Sequence, residues 1–213
     1  MNTKNKPGAL KQIVAGLIVL AGVTGIYWFQ ADGRKAASVE VATPAPAVLA
    51  MGVSRALATG ALAAFLVKKE RKPVADAAFQ NGEGKALNLS QWKGRVILVN
   101  LWATWCAPCR KEMPALAQLQ TELGSDQFEV VAISIDRKGV EASAAFLKDT
   151  GAQSLKLYVE PSSAIVNSLQ AIGLPATLLI DRQGKEIGRL LGPADWASPE
   201  ALTLIKAALA EKP

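Results

Sequence analysis

The chain of 213 residues contains no histidine and only two cysteines. The first absence excludes histidine general bases, Ser-His-Asp and Cys-His arrangements, and the commonest metal ligand. A structural zinc site needs four Cys/His ligands, so Cys106 and Cys109 do not build one alone, and no metal is expected. Acidic residues are scarce at the N-terminal end. Residues 1–72 carry ten Lys/Arg against three Asp/Glu, whereas residues 73–213 carry fourteen against fifteen. The net charge of +6 therefore belongs to the N-terminal segment. That distribution fits membrane orientation rather than a nucleic-acid-binding face, and no nucleic-acid partner is expected.

Residues 13–29 form an apolar run of 17 residues without charge. This is the short end of the roughly 17–25 needed to span a bilayer. Lys4, Lys6 and Lys11 precede it, and Tyr27, Trp28 and Phe29 close it like an interfacial aromatic belt. The pattern predicts a cytoplasmic N-terminus at 1–12, a single transmembrane helix at 13–29 and export of the rest. A cleaved signal peptide is the other reading, but no small-x-small site follows directly in Gln30-Ala31-Asp32-Gly33-Arg34-Lys35. Residues 30–72 read as a linker, semi-extended at Thr43-Pro44-Ala45-Pro46. Residues 47–67 turn apolar again, and the spacing of Leu62, Phe65 and Leu66 predicts a helix lying on the domain or on the membrane. Arg55 interrupts this run and leaves 12 uncharged residues at 56–67, too few for a second span. The flank Lys68-Lys69-Glu70-Arg71-Lys72 is what a second span would nevertheless carry on its cytoplasmic side.

From residue 73 to 213 the pattern is that of an α/β domain. Asn81-Gly82-Glu83-Gly84 reads as a turn between two short strands. The continuous apolar runs at 95–101 and 128–135 predict strands buried on both faces. Helical spacing predicts a helix over 111–123, stopped by Gly124, and others over 139–149, 164–170 and 199–209. A short strand is expected at 155–159. Strands at 177–180 and 186–191 flank a hairpin turn at Asp181-Arg182-Gln183-Gly184. Alternation of strands and helices predicts a central mixed sheet with helices on both faces.

Residues 102–114, WATWCAPCRKEMP, lie directly after a buried strand and open a helix. That position places Cys106 at a helix N-terminus, where free N–H groups and the helix dipole stabilise a thiolate. Arg110 and Lys111 add positive charge nearby. A thiolate attacks a partner disulfide, and Cys109, one turn along, resolves the mixed disulfide by attacking Cys106. Pro108 falls at the helix start, where its missing N–H costs little. Half of a metal site shared between two chains is an alternative. A purely structural disulfide is poorly served by so short a loop.

The same segment resembles the active site of the TlpA/ResA family of membrane-anchored thioredoxin-like proteins. The resemblance runs over roughly 73–212 and includes the apolar helix that precedes it. It implies a thioredoxin fold, exposure to the periplasm from the cytoplasmic membrane, and a reducing role with no cofactor beyond the redox-active Cys106–Cys109 disulfide. Gly173-Leu174-Pro175-Ala176 resembles the family's cis-proline loop, which implies substrate pairing at Leu174 and Pro175; Ala176 departs from the threonine often found there. Glu112 matches a family glutamate held to accept a proton from the second cysteine. Read from spacing alone, it is a solvated surface carboxylate one turn beyond Cys109 sooner than a proton acceptor, and only the resemblance brings the two readings level. Trp105 is read as a shield or recognition surface for the sulfurs, Trp102 as core, and Pro114 as a bend in the helix.

The function expected is therefore a protein-disulfide reductase. Its targets are cysteines that must be reduced to receive heme or copper in cytochrome or oxidase assembly, and its electrons come from a transmembrane thiol reductase. A copper-binding assembly factor and a dithiol peroxidase of similar fold are the competing functions. The Ala107-Pro108 pair does not set the direction of electron flow.

Overall fold

The structure, a computed structural model, describes residues 52–212. The expected transmembrane helix at 13–29 lies outside the described residues. Among the described residues no helix is long and apolar enough to cross a membrane.

Eight strands form one mixed sheet in the order β1-β8-β7-β4-β5-β6-β2-β3. The centre is built from β4 (Val96–Trp102) and β5 (Phe128–Ser134), which are parallel and buried at every position. Their continuous apolar runs have this cause: both faces are covered, so there is no solvent face to encode. Helix α1 (Ala107–Leu123) connects them. Helix α2 (Gly139–Asp149) leads on to β6 (Tyr158–Val159), parallel to β5. After the short α3 (Ala164–Ser168), β7 (Ala176–Ile180) returns antiparallel beside β4. The hairpin turn at 181–184 then leads to β8 (Glu186–Leu191), and α4 (Pro199–Ala210) closes the chain. On the far edge β2 (Ala78–Asn81) and β3 (Ala86–Asn88) form the expected hairpin against β6. This is the thioredoxin-like α/β arrangement with a central mixed sheet.

Three expectations need correction. Helix α1 begins at Ala107, four residues earlier than the apolar spacing indicates, because Cys106 caps it. The strand expected over 155–159 is paired only at Tyr158–Val159, since only there does it meet β5. The helix expected within 47–67 is absent from its described part. Residues Arg55–Leu57 and Gly60–Leu62 form two 3-10 turns, and Leu66–Val67 form β1, antiparallel to β8. Gly60 adopts φ +51, a left-handed conformation that ends any regular helix there. Leu62 and Phe65, both buried, drive the course instead by entering the core. Gly188 on β8 makes room for this: a Cβ there would sit 2.5 Å from the Phe65 ring.

The segment 53–72 is thus a strap on the domain rather than a linker. Both 3-10 turns lie against α4. Glu211, just past α4, holds the start and the end of the strap together. It accepts from Val53 N–H at 2.8 Å and pairs with Arg71 at 2.6 and 2.7 Å.

Candidate active site

The two cysteines are placed by what precedes them. Trp102, fully buried at the end of β4, stacks on Phe146 of α2 with ring centroids 4.8 Å apart. Arg110 lies over the other partner of that stack, 4.4 Å from the Phe146 centroid, which gives its charge a fixed place beside α1. The next turn is pinned to the chain just past β5. Thr104 donates to Asp136 Oδ2 through its N–H, at 3.2 Å, and through its hydroxyl. Burial pushes the Asp136 carboxyl up, but these bonds and one from Lys138 N–H outweigh it and hold the pKa below the usual range.

Cys106 is the N-cap of α1, with Pro108 in the first turn. Its Sγ accepts from Cys109 N–H at 3.2 Å, one of the free donors of the helix start. The structure holds Cys106 and Cys109 as a disulfide. Of the two, Cys106 retains 5% exposure and Cys109 has none. A partner sulfur therefore reaches Cys106 first.

Cys106 opens onto a groove of about 990 Å³. Trp105, 69% exposed, stands at one side, and Ile172, 87% exposed, in the loop that carries Leu174. Ser162, Val166 and Asn167 extend the floor, and no charged side chain lines it. The Leu174–Pro175 peptide bond is cis, as the family resemblance implies. Leu174 lines the groove, and Pro175 is buried behind it.

Glu112 is not a surface carboxylate. It is 2% exposed and sits under a network drawn from three further elements. Its Oε1 accepts from Asn100 Nδ2 on β4 at 2.9 Å, and the same amide donates to Thr177 Oγ1 on β7 at 2.9 Å. Its Oε2 accepts from Ala194 N–H at 3.2 Å and from Trp196 Nε1 at 3.3 Å. Burial raises its pKa to about 7, and the donors from Asn100, Ala194 and Trp196 only partly offset that. Every donor is neutral, so no positive charge holds the carboxyl in its anionic form. Asn100, Thr177 and Trp196 are site residues that sequence reading did not single out. A buried strand interrupted by one asparagine, directly before the cysteine motif, was the available signal.

Fold and site together define a thioredoxin-like protein with a redox cysteine pair at the head of a helix. The Redoxin family matches residues 69–205. The thiol-disulfide oxidoreductase ResA of Bacillus thuringiensis subsp. konkukian is 32% identical over 110 residues, 52% of this chain and 62% of that protein. The chain thus spans less than two thirds of the curated ResA proteins it matches. The thioredoxin-like protein YneN of Bacillus subtilis is 27% identical over 82% of this chain and 86% of its own length. Among solved structures, a Chlorobium tepidum protein provisionally assigned as the thiol:disulfide interchange protein DsbE superposes with a TM-score of 0.58. It shares 32% identity, over 67% of this chain and 99% of that one. The chain belongs to the Redoxin family, and the resemblance to ResA-like thioredoxin-fold oxidoreductases is borne out.

Proposed function

We propose that the protein is a thiol:disulfide oxidoreductase that reduces disulfides in partner proteins. One observation carries this: Cys106 Sγ, the reachable sulfur of the pair, takes a hydrogen bond from the α1 N-terminus on the floor of an open groove. In the reduced protein that donor and the helix dipole favour the Cys106 thiolate. The thiolate attacks the partner disulfide, one partner sulfur leaves as thiolate, and a mixed disulfide forms at Cys106. Glu112 accepts the proton of Cys109, and the Cys109 thiolate attacks Cys106 Sγ. The mixed disulfide breaks, the second partner sulfur leaves, and two electrons have passed to the partner. Trp105, Leu174 and Pro175 flank the incoming segment. The uncharged groove favours a cysteine set among apolar and neutral polar residues.

The resemblance and the ResA relatives extend the reading. In it, residues 13–29 anchor the chain in the cytoplasmic membrane with the domain in the periplasm. A transmembrane thiol reductase resets the pair, and the partners are cysteine proteins awaiting heme or copper. Protease protection in spheroplasts checks the topology.

The central test is trapping. Cys109→Ser accumulates a mixed disulfide at Cys106, seen by mass spectrometry; if Cys106→Ser traps partners instead, the two roles are reversed. A reduction potential near that of strong oxidants, about −120 mV, overturns the reducing direction. Titration of the reduced protein with copper separates this reading from a copper carrier, which requires a tight one-to-one site.

A further inference from the structure

The groove at Cys106 and the position of Glu112 are separate openings in the protein. The groove is lined by Trp105, Cys106, Ser162, Val166, Ile172 and Leu174 among others. Glu112 instead takes part in a second cleft of about 380 Å³, walled by Lys111 and Ala115 of α1, the loop at 193–195, and Ala61 of the strap. The two share no lining residue. Ala61 precedes the region that matches the Redoxin family, which begins at residue 69. The strap therefore brings a wall to this cleft from outside the family match.

This arrangement meets a requirement of the exchange chemistry. During the resolving step the partner is bonded to Cys106 and fills the groove. The proton leaving Cys109 then has no path to water through the groove. We propose that the strap-walled cleft is the port through which Glu112 exchanges its proton with solvent while a partner covers the groove, and that Ala61 is the strap position that tunes it. The inference rests on reading Glu112 as the proton acceptor of Cys109. In the balanced step, the Cys109 proton passes to the Glu112 carboxylate as Cys109 attacks Cys106 Sγ. The bond from Cys106 to the partner breaks, the partner leaves as a thiolate, and Glu112 returns its proton to water in the cleft. The partner thiolate then takes a proton from bulk water.

The groups that face Glu112 are few. Lys111 comes from its own helix and Asp195 from the loop. The strand and loop behind it contribute only neutral groups, Asn100 (itself bonded to Thr177), the Ala194 N–H and Trp196. The strap contributes no charge at Ala61, although Glu200 of α4 lies against the neighbouring Gly60. A charge placed at residue 61 is therefore legible. Ala61 is exposed, so a charged side chain there is compatible with folding.

The test uses the full chain. Carbon-13 NMR of the Glu112 carboxyl gives its titration midpoint in Ala61→Asp, Ala61→Lys and Ala61→Ser, with Ile172→Asp as the groove control. Ala61→Asp raises the midpoint and Ala61→Lys lowers it, each by about one unit, while Ala61→Ser and Ile172→Asp leave it in place. Absence of both shifts, or an equal shift from Ile172→Asp, overturns the proposal. A second measurement uses the mixed disulfide of Cys109→Ser with a cysteine-bearing decapeptide. Glu112 continues to titrate in that adduct and still responds to Ala61→Lys; loss of either response on covering the groove overturns the port. If the midpoints shift as expected but the resolving rate with intact Cys109 keeps its pH profile, the port stands and the role of Glu112 as proton acceptor falls.

Discussion

Two buried carboxylates at opposite ends of the central strands behave in opposite ways. Glu112 and Glu129 are each 2% exposed. Glu129 lies beside Ile97, near the start of β4, and Glu112 is tied to Asn100, nearer the strand end that leads to Cys106. Burial pushes both pKa values up. At Glu129 the hydrogen bonds of Tyr158 at 2.6 Å and Lys156 at 3.0 Å, and the positive charge of Lys156, outweigh burial and hold the pKa below the usual range. Arg95 adds a second cation at 3.1 Å. At Glu112 the donors are neutral and burial wins. Depth alone therefore does not set the direction of the shift; the charge of the donors decides it.

The comparison breaks most visibly at Glu129. Glu129→Ala leaves Tyr158 without its acceptor and Arg95 without its ion-pair partner, and costs about 3 kcal/mol, discounted for the exposure of Lys156. Urea melts measure the loss, and thiol reactivity of Cys106 in the folded protein is unchanged. A variant as stable as the parent sinks the structural reading of this site.

The pH dependence of stability has two legs of opposite sign. The folded pKa of Glu112 is raised from 4.5 to about 7, so the folded state holds the proton more tightly. Its contribution is full below about pH 4.5, is lost as pH rises to about 7, and is constant above. The loss is on the order of 3 kcal/mol. Glu129, with its pKa lowered, contributes above the usual carboxylate range and loses that contribution as pH falls through its folded pKa. Melts from about pH 2 to 8 resolve both legs, and Glu112→Gln flattens only the one between 4.5 and 7.

Kinetics sharpen the contrast further. Glu112→Gln slows release of a mixed disulfide from Cys106 by about a hundredfold at pH 7. The first attack by Cys106 is little changed, and stopped-flow with a fluorescent disulfide separates the two steps. The smallest effect is expected at the network's edge. Trp196→Phe keeps the ring but removes the 3.3 Å bond to Glu112 Oε2, raising the carboxyl midpoint by about half a unit.

What the sequence disclosed follows from how local each signal is. The buried strands at 96–102 and 128–134 and the cysteine pair are written in contiguous residues and were legible. The strap was misread because its apolar spacing is that of a helix, whereas its path is set by Phe65 meeting Gly188, more than a hundred residues away. Apart from the lone asparagine in the buried strand, the Glu112 network was illegible for the same reason. Asn100, Thr177 and Trp196 converge on it from distant positions, and spacing along α1 reveals only that Glu112 follows Cys109 by one turn.

The sheet ends on both sides in very short strands. Outermost are β1, with two residues, and β3, with three. A long bare outer strand would offer a ladder of unpaired amides to any extended chain. The proposed reaction tethers an incompletely folded polypeptide to this protein by a covalent bond. Short borders deny such a guest a place to add itself as a ninth strand, so it is held at the groove and by the bond between sulfurs, and breaking that bond leaves only the groove contacts to release.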